Sequence, residues 1–276
     1  MIYFKSLLLF VSLLSIYVTP CFAKSPVNSN ENTLPSGEQV VAHINTRDEG
    51  ETVSRKLSIV MRDKRGKTRH RETRSYRKYY ADEKRTVIFY LSPKNIKDTA
   101  FLTYDYNDPE LEDNQWLYLP ALRKVRRISA SDRGDYFLGT DMTYEDIKLE
   151  TRVSTADFNF ETIDTCVVDG YPGLQIEGIP KNQAIAKELG YSKTLSCVDK
   201  AVWMVRQSQF WDIKGHLLKT VIVSNIEQIQ GIWSQQNIDV ENHKTGHSTS
   251  LTFSDIDYQS PIPDDIFTTN AIKRGL

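Results

Sequence analysis

Apolar and polar residues change their period along this chain, and the changes predict its elements. Ser36 and Gln39 have capping-box spacing, and Val40, Val41 and Ile44 share one face of a short helix that ends by Gly50. From Thr52 the period becomes two. Leu57, Ile59 and Met61 fall on one side of a strand, with Lys56, Ser58 and Arg62 on the other. Lys64-Arg65-Gly66 suits a hairpin turn and 68–80 a polar return strand. Further short strands follow at 86–91, 100–104, 116–119 and 125–128, separated by Ser92-Pro93, Asn107-Asp108-Pro109 and Pro120. This is the pattern of an antiparallel meander and not of βαβ units.

Residues 129–147 break the alternation. They carry Gly134 and Gly139 together with Tyr136, Phe137, Leu138, Met142 and Tyr144. A connection this long and this apolar predicts an ordered covering segment. Strands resume near Thr162, Asn182 caps a helix bearing Ile185 and Leu189, and Gly190 follows it. Residues 201–210, 216–229, 232–241 and 248–258 complete the sheet, with Lys244-Thr245-Gly246 as the last hairpin turn. Trp116-Leu117-Tyr118-Leu119 is apolar on both faces, so both sides of that strand must be covered. Whether the covering segment encloses a ligand cavity or plugs the core is left open by the pattern.

The first 23 residues have the three parts of an export signal: Lys5, an apolar run over 7–18, and Cys21-Phe22-Ala23 as a cleavage site. Pro20 before Cys21 argues against a lipidated cysteine, and the run is short for a membrane anchor. The expected organisation is a signal peptide over 1–23, a flexible lead-in over 24–35 and a single domain over 36–276. The mature chain is then exported to the periplasm. Hydrophobic residues at 39% and charged residues at 26% describe an ordinary globular chain. A formal net charge of −1 excludes a generally basic nucleic-acid binder. After cleavage Cys166 and Cys197 remain. An even pair in an oxidising compartment favours a disulfide over two separate buried thiols.

Candidate chemistry is sparse. His243 and His247 are four apart, but Gly246 lies between them, and they read as turn-exposed imidazoles; no metal site is expected. The acidic residues Asp105, Asp108, Glu110, Glu112 and Asp113 lack the glycine and glutamate positions of a calcium loop. There is no G-x-S-x-G elbow, and Gly170-x-x-Gly173 has no following lysine, so neither a catalytic nucleophile nor a cofactor is expected. Local charge is uneven: residues 55–85 hold thirteen Lys or Arg against four acids. Arg123, Lys124, Arg126 and Arg127 form a second cluster. These are either a docking surface for anionic headgroups or an acidic partner, or a solvated strand face.

The run FLTYDYNDPELEDNQWLYLPALRKVRRISASDRGDYFLGTDMTYEDI over 101–147 resembles the signature of the outer-membrane lipoprotein-sorting protein family, in the LolA/LolB-like superfamily. Its parts are Trp116-Leu-Tyr-Leu-Pro120, Arg126-Arg127-Ile128 and Gly139-Thr-Asp-Met-Thr-Tyr-Glu-Asp146. Residues 217–229 and 245–253, Ile262-Pro-Asp and Phe267 also match, so the resemblance runs from about Val40 to the C-terminus. The chain departs at Thr140, where relatives more often have Ser, and around Cys166 and Cys197. The resemblance implies a mainly β fold with short helices, a strongly curved antiparallel half-barrel closed by a helical lid. It implies a monomeric periplasmic carrier of a lipid or of lipoprotein acyl chains, in transient contact with the membrane surface and often beside an RND-type exporter.

On that basis Leu57, Ile59, Met61, Phe89, Trp116 and Tyr118 are expected to line the cavity. Phe137, Leu138, Met142 and Tyr144 belong to a lid that swings near Gly134 and Gly139. Arg126 and Arg127 are adjacent and point opposite ways, so at most one meets an anionic head or partner. The competing expectation is a non-catalytic envelope module that docks through its basic strand surface.

Overall fold

A computed structural model describes residues 34–108 and 110–276, so the expected export signal, with its expected cleavage site, lies outside the described residues. Helix α1 (Gly37–Thr46) begins with the reciprocal Ser36–Gln39 capping box. A first meander follows: β1 (Thr52–Arg62), β2 (Thr68–Tyr79), β3 (Glu83–Ser92), β4 (Ala100–Tyr106), β5 (Asn114–Leu119) and β6 (Lys124–Ile128). Residues 129–157, containing the short helix α2 (Tyr144–Leu149), lead into a second. That one comprises β7 (Phe158–Val168), β8 (Tyr171–Pro180), β9 (Tyr191–Asp199), β10 (Met204–Asp212), β11 (Leu217–Ile229), β12 (Ile232–Asn242) and β13 (His247–Asp257). Helix α3 (Gln183–Leu189) sits between β8 and β9, capped by Asn182 and ended by left-handed Gly190, while α4 (Thr269–Arg274) lies near the C-terminus.

All thirteen strands form one sheet, ordered β6-β5-β4-β3-β2-β1-β13-β12-β11-β10-β9-β8-β7. The two meanders are joined where β1 pairs with β13, with Ile59 opposite Leu251. The sheet does not close; it is a curved half-barrel with β6 and β7 as its edges. Residues 129–157 leave one edge and enter the other, so the connection has to cross a face of the sheet.

That face carries the larger core. Leu57, Ile59, Met61, Ile88, Tyr90, Phe101 and Leu117 are buried there, together with Val223, Ile238 and Leu251 from the second meander. Phe89, Trp116 and Tyr118 are on the opposite face, contrary to the expectation that they line the same cavity as Leu57. Register shows why: Phe101 pairs with Ile88 and Leu117, so Leu102 pairs with Val87 and Trp116 and points the other way. This second face is covered by Ile262, Phe267 and Ile272 of the C-terminal segment, and Tyr104 donates to the Phe267 carbonyl at 2.6 Å. Alternation sorts residues within one strand, but only pairing decides which set faces inward.

At the β7 end, Val40, Val41 and Ile44 of α1 pack on Leu174, Ile176 and Val198. Cys166 and Cys197 form a disulfide, as the sequence favoured, with Cα atoms 6.0 Å apart. The bridge ties β7 to β9 across β8. Gly173 on β8 lets the β9 backbone approach, since a Cβ there would lie 2.5 Å from the Val198 carbonyl oxygen and 3.1 Å from the Cys197 sulfur. Among the described residues no helix is long and apolar enough to cross a membrane.

Because the bridge closes a loop of 32 residues, it removes freedom from the unfolded chain. The Cys166→Ser/Cys197→Ser variant is expected to lose about 3–4 kcal/mol of unfolding free energy. Urea denaturation of the oxidised protein and the variant measures the difference, and an unchanged midpoint would contradict it.

Candidate functional site

The crossing segment is apolar toward the sheet. Phe137 is buried with its ring 4.9 Å from Phe101 and 5.4 Å from Tyr144, and Tyr144 lies 5.5 Å from Phe101. Met142 is buried beside them, and Leu138 and Ile147 pack at the margin. Thr143 and Asp146 form a capping box that starts α2. Leu138 and Gly139 are both left-handed, at φ 48° and 79°. The chain turns there, so that the Phe137 amide donates to the Met142 carbonyl at 2.7 Å. Gly134 is no hinge. A Cβ on it would come 2.3 Å from the Glu188 carbonyl oxygen of α3, so its glycine serves close packing.

Polar groups of the same segment pair with one another, with α3 and with the sheet. Arg133 grips Asp157 with two hydrogen bonds, at 2.7 and 2.9 Å, and donates to Glu188 at 2.6 Å. Asp141 accepts from Thr249 at 2.7 Å and lies 2.6 Å from His247 Nδ1, so His247 is not the turn-exposed imidazole expected from its spacing. Fully buried Lys219 on β11 donates to the Asp141 carbonyl at 3.2 Å and pairs with Asp146. Lys148 pairs with Asp113 and, at 2.9 Å, with Glu145. Glu150, at φ 56°, turns toward the sheet and is held by Arg55 and Arg77. That backbone conformation costs about 1–3 kcal/mol in a residue with a side chain, and the two guanidinium groups offset it.

These contacts also account for much of the basic stretch. Arg55, Arg77 and Lys84 are turned inward: Arg77 meets Glu49 and Glu150, and Lys84 meets Asp105 at 3.0 Å. Lys56 and Lys78 pair with Asp255 and Asp264. Exposed charge is concentrated in Arg62, Lys64, Arg65, Lys67 and Arg69 at the tip of the β1–β2 hairpin. Burial pushes Glu49 up, but Arg77 and hydrogen bonds from Thr151 and Tyr79 outweigh it and hold its carboxyl at about 2. Glu150 and Asp157 are likewise opposed by burial and held down by Arg55 with Arg77 and by Arg133 with Ser154. Glu145 is the reverse case: burial raises its carboxyl despite Lys148 and Arg133.

Over β1–β3 the segment packs tightly, leaving about 40 Å³ beside Leu57, Ile88, Met142 and Leu251, whereas a more polar space of about 440 Å³ lies between it and the β4–β6 end, bordered by Asp105, Gln115, Ile128, Arg133 and Lys148. An apolar cavity of about 160 Å³ lies between α2 and the second meander. Its apolar wall includes Met142, Leu149, Ile176, Leu189, Tyr191, Phe210, Val221 and Ile238, and Arg47, Glu150 and Arg152 also border it. Of the expected cavity residues, Leu57 reaches only the small space, and Ile59 and Met61 are core beneath the segment. Of the expected lid residues, Phe137, Leu138, Met142 and Tyr144 all cover the sheet, and Met142 alone borders the apolar cavity. Arg126 and Arg127 sit exposed on edge strand β6, paired with Asp132 at 2.9 Å and Glu112 at 3.7 Å, and border none of these spaces. The alternation of Val221 and Val223 in β11 marked an inward side, but the proximity of that side to α2 follows from the crossing. A cavity of 160 Å³ falls below the roughly 300 Å³ that a drug-sized ligand occupies. A long chain enters only if the segment moves outward.

Three solved structures share this architecture. A domain from Vibrio parahaemolyticus assigned to outer membrane lipoprotein sorting is 28% identical, with 86% of this chain and 98% of that one covered at a TM-score of 0.78. A DUF1329 family protein from Desulfovibrio piger is 25% identical over 86% and 97%, also at 0.78. A LolA superfamily protein from Nitrosomonas europaea, 19% identical over 86% and 99%, reaches 0.64 and supports the fold. A family model described as "Uncharacterized protein" matches residues 82–274. The chain belongs to this family and has a LolA-like fold. No curated protein matches it in sequence.

In this LolA-like fold the ion pairs make two measurable differences. Arg133→Met strands Asp157 and Glu145, and chemical denaturation is expected to show a loss of about 3–5 kcal/mol. Acid should loosen the lid. Carboxylates held low contribute fully above the unfolded value of about 4.3 and lose that contribution as pH falls toward their folded values. Glu145, held high, has the opposite sign and offsets part of the loss. Near-ultraviolet circular dichroism of the Phe101–Phe137–Tyr144 cluster is expected to fade between about pH 4.5 and 2. A signal constant across that window would contradict the assignment.

Proposed function

We propose that this protein is a periplasmic carrier that shelters a lipid, or the acyl chains of a lipoprotein, beneath residues 129–157 and passes it between envelope partners. The observation that carries this reading is the apolar cavity between the crossing segment and an unclosed sheet. Lipoprotein sorting, the role given to the Vibrio relative, agrees with it, as does the export signal read in the leader.

The energetics suit transfer. Burying acyl carbon gains about 0.8 kcal/mol per CH₂, or roughly ten kcal/mol for a twelve-carbon chain before ordering costs. Release then requires a cover that can be displaced at moderate cost. Contacts among Phe137, Phe101 and Tyr144 hold one side of the lid, while ion pairs that water can replace hold the rest. The protein acts as a monomer without chemical catalysis. The exposed cations of the β1–β2 tip give it a surface for anionic membrane or for an acidic partner such as an RND-type exporter.

Two experiments test the carrier. Mass spectrometry of an organic extract of the purified protein is expected to find lipid. Asp141→Cys/Thr249→Cys replaces a direct lid-to-sheet hydrogen-bonded pair. Oxidation of that variant should slow lipid uptake by about tenfold or more, with recovery on reduction and no such change in reductant-treated wild type. Undiminished exchange with the bridge formed would sink the proposal, whereas a lipid-free protein with salt-sensitive partner binding would favour a docking module.

A further inference from the structure

At one end of the lid, four guanidinium groups meet two carboxylates. Arg47, Arg77 and Arg152 surround Glu49 at 2.9, 3.8 and 3.6 Å. Arg55 and Arg77 hold Glu150. Thr151 and Tyr79 also donate to Glu49, so its acceptor capacity is spread over five groups. The local surplus is two positive charges, in a place from which water is largely removed: the Arg47 and Arg77 side chains are 8% and 4% exposed. The Nε atoms of Arg47, Arg77 and Arg152 are buried and have no acceptor. Buried donors are nearly always satisfied, so unused ones ask for an occupant. Burial lowers the Arg47 guanidinium even with Glu49 beside it, a further sign that its charge is under-compensated.

Arg47 and Arg152 both border the apolar cavity. Of the acids elsewhere on its wall, Asp146 is engaged by Lys219 and Asp157 by Arg133, while Glu145 lies 2.9 Å from Lys148 with neither oxygen hydrogen-bonded and its charged form disfavoured by burial. The wall therefore combines hydrocarbon with a cationic pair, Arg47 and Arg152, that shares the single carboxylate of Glu49, while Arg152 keeps 26% of its side chain open to solvent. We infer that the cavity takes an amphiphile with a single anionic head, carboxylate or phosphate, bound by Arg47 and Arg152. The chain lies along Leu189, Tyr191, Phe210, Val221 and Ile238. This names the class of cargo and rests on the carrier reading above. Guanidinium suits either head because its fork matches both oxyanions.

Binding of laurate, dodecyl phosphate and dodecanol to the delipidated protein, measured by isothermal titration, tests the inference. At least one of the two anions is expected to bind about tenfold or more tighter than dodecanol, the value of one charge-assisted hydrogen bond. A preference for laurate identifies a carboxylate cargo, and one for dodecyl phosphate a phosphate cargo. Arg152→Met should bring anion and alcohol within about threefold, Arg152→Lys should keep most of the preference, and Arg126→Met should leave it unchanged. Circular dichroism confirms that each variant folds. Dodecanol binding as tightly as both anions, or a full preference surviving in Arg152→Met, overturns the anionic head and leaves the carrier intact. Failure of all three ligands to bind removes the carrier reading, and the inference with it.

Discussion

Ion pairs between residues 129–157 and the sheet are the constraint on which the rest of this molecule depends. An unclosed sheet leaves an apolar face that must be covered, and here the cover is the chain's own link between the two edge strands. Apolar contact alone would let such a segment slide. Lys219 on Asp146 and Glu150 on Arg55 and Arg77 fix its position, and Arg133 on Asp157 ties the two ends of the segment to each other. Buried pairs are expensive to desolvate and add little net stability, but separating one partner from the other is costly. They therefore give position at little net gain in stability.

The cover is not uniform. Around Phe101 it is packed like core, with Phe137 and Tyr144 seated against that ring. Over the second meander it stands off, and the 160 Å³ cavity lies in the gap. Tight packing on one side and a gap on the other make the α2 side the natural place for opening, because fewer dispersion contacts are lost there. Gly134, pressed against α3, belongs to the packed part, and Gly139 serves a local turn. Flexibility in this lid comes from replaceable contacts more than from glycine.

Much of the fold was legible in the sequence. The capping box at Ser36, the meander of β1–β6, α3 between Asn182 and Gly190 and the covering character of 129–147 all stand in the structure. These are local signals, carried by period, turn residues and caps. The six-residue helices α2 and α4 were not legible, being too short to show a period. The site was only partly legible. Leu57, Ile59 and Met61 do face the lid, but Phe89, Trp116 and Tyr118 are backed by the C-terminal segment, and the headgroup arginines expected at 126 and 127 lie on an exposed edge. Nothing local marked Arg47 or Arg152, because what distinguishes them is a shortage of acceptors among residues distant in sequence.

By itself, then, the sequence determined the class of element at each stretch, the pairing of the two mature cysteines and the presence of an apolar connection needing a face to cover. Tertiary structure decided which face. The β1–β13 pairing brings Leu251, Ile238 and Val223 into line with Ile59, and only then do the inner surface, the gap beneath α2 and the unbalanced arginines exist. The reason is physical: periodicity is a property of neighbouring residues, whereas a cavity and a charge imbalance are sums over groups that chain folding alone brings together.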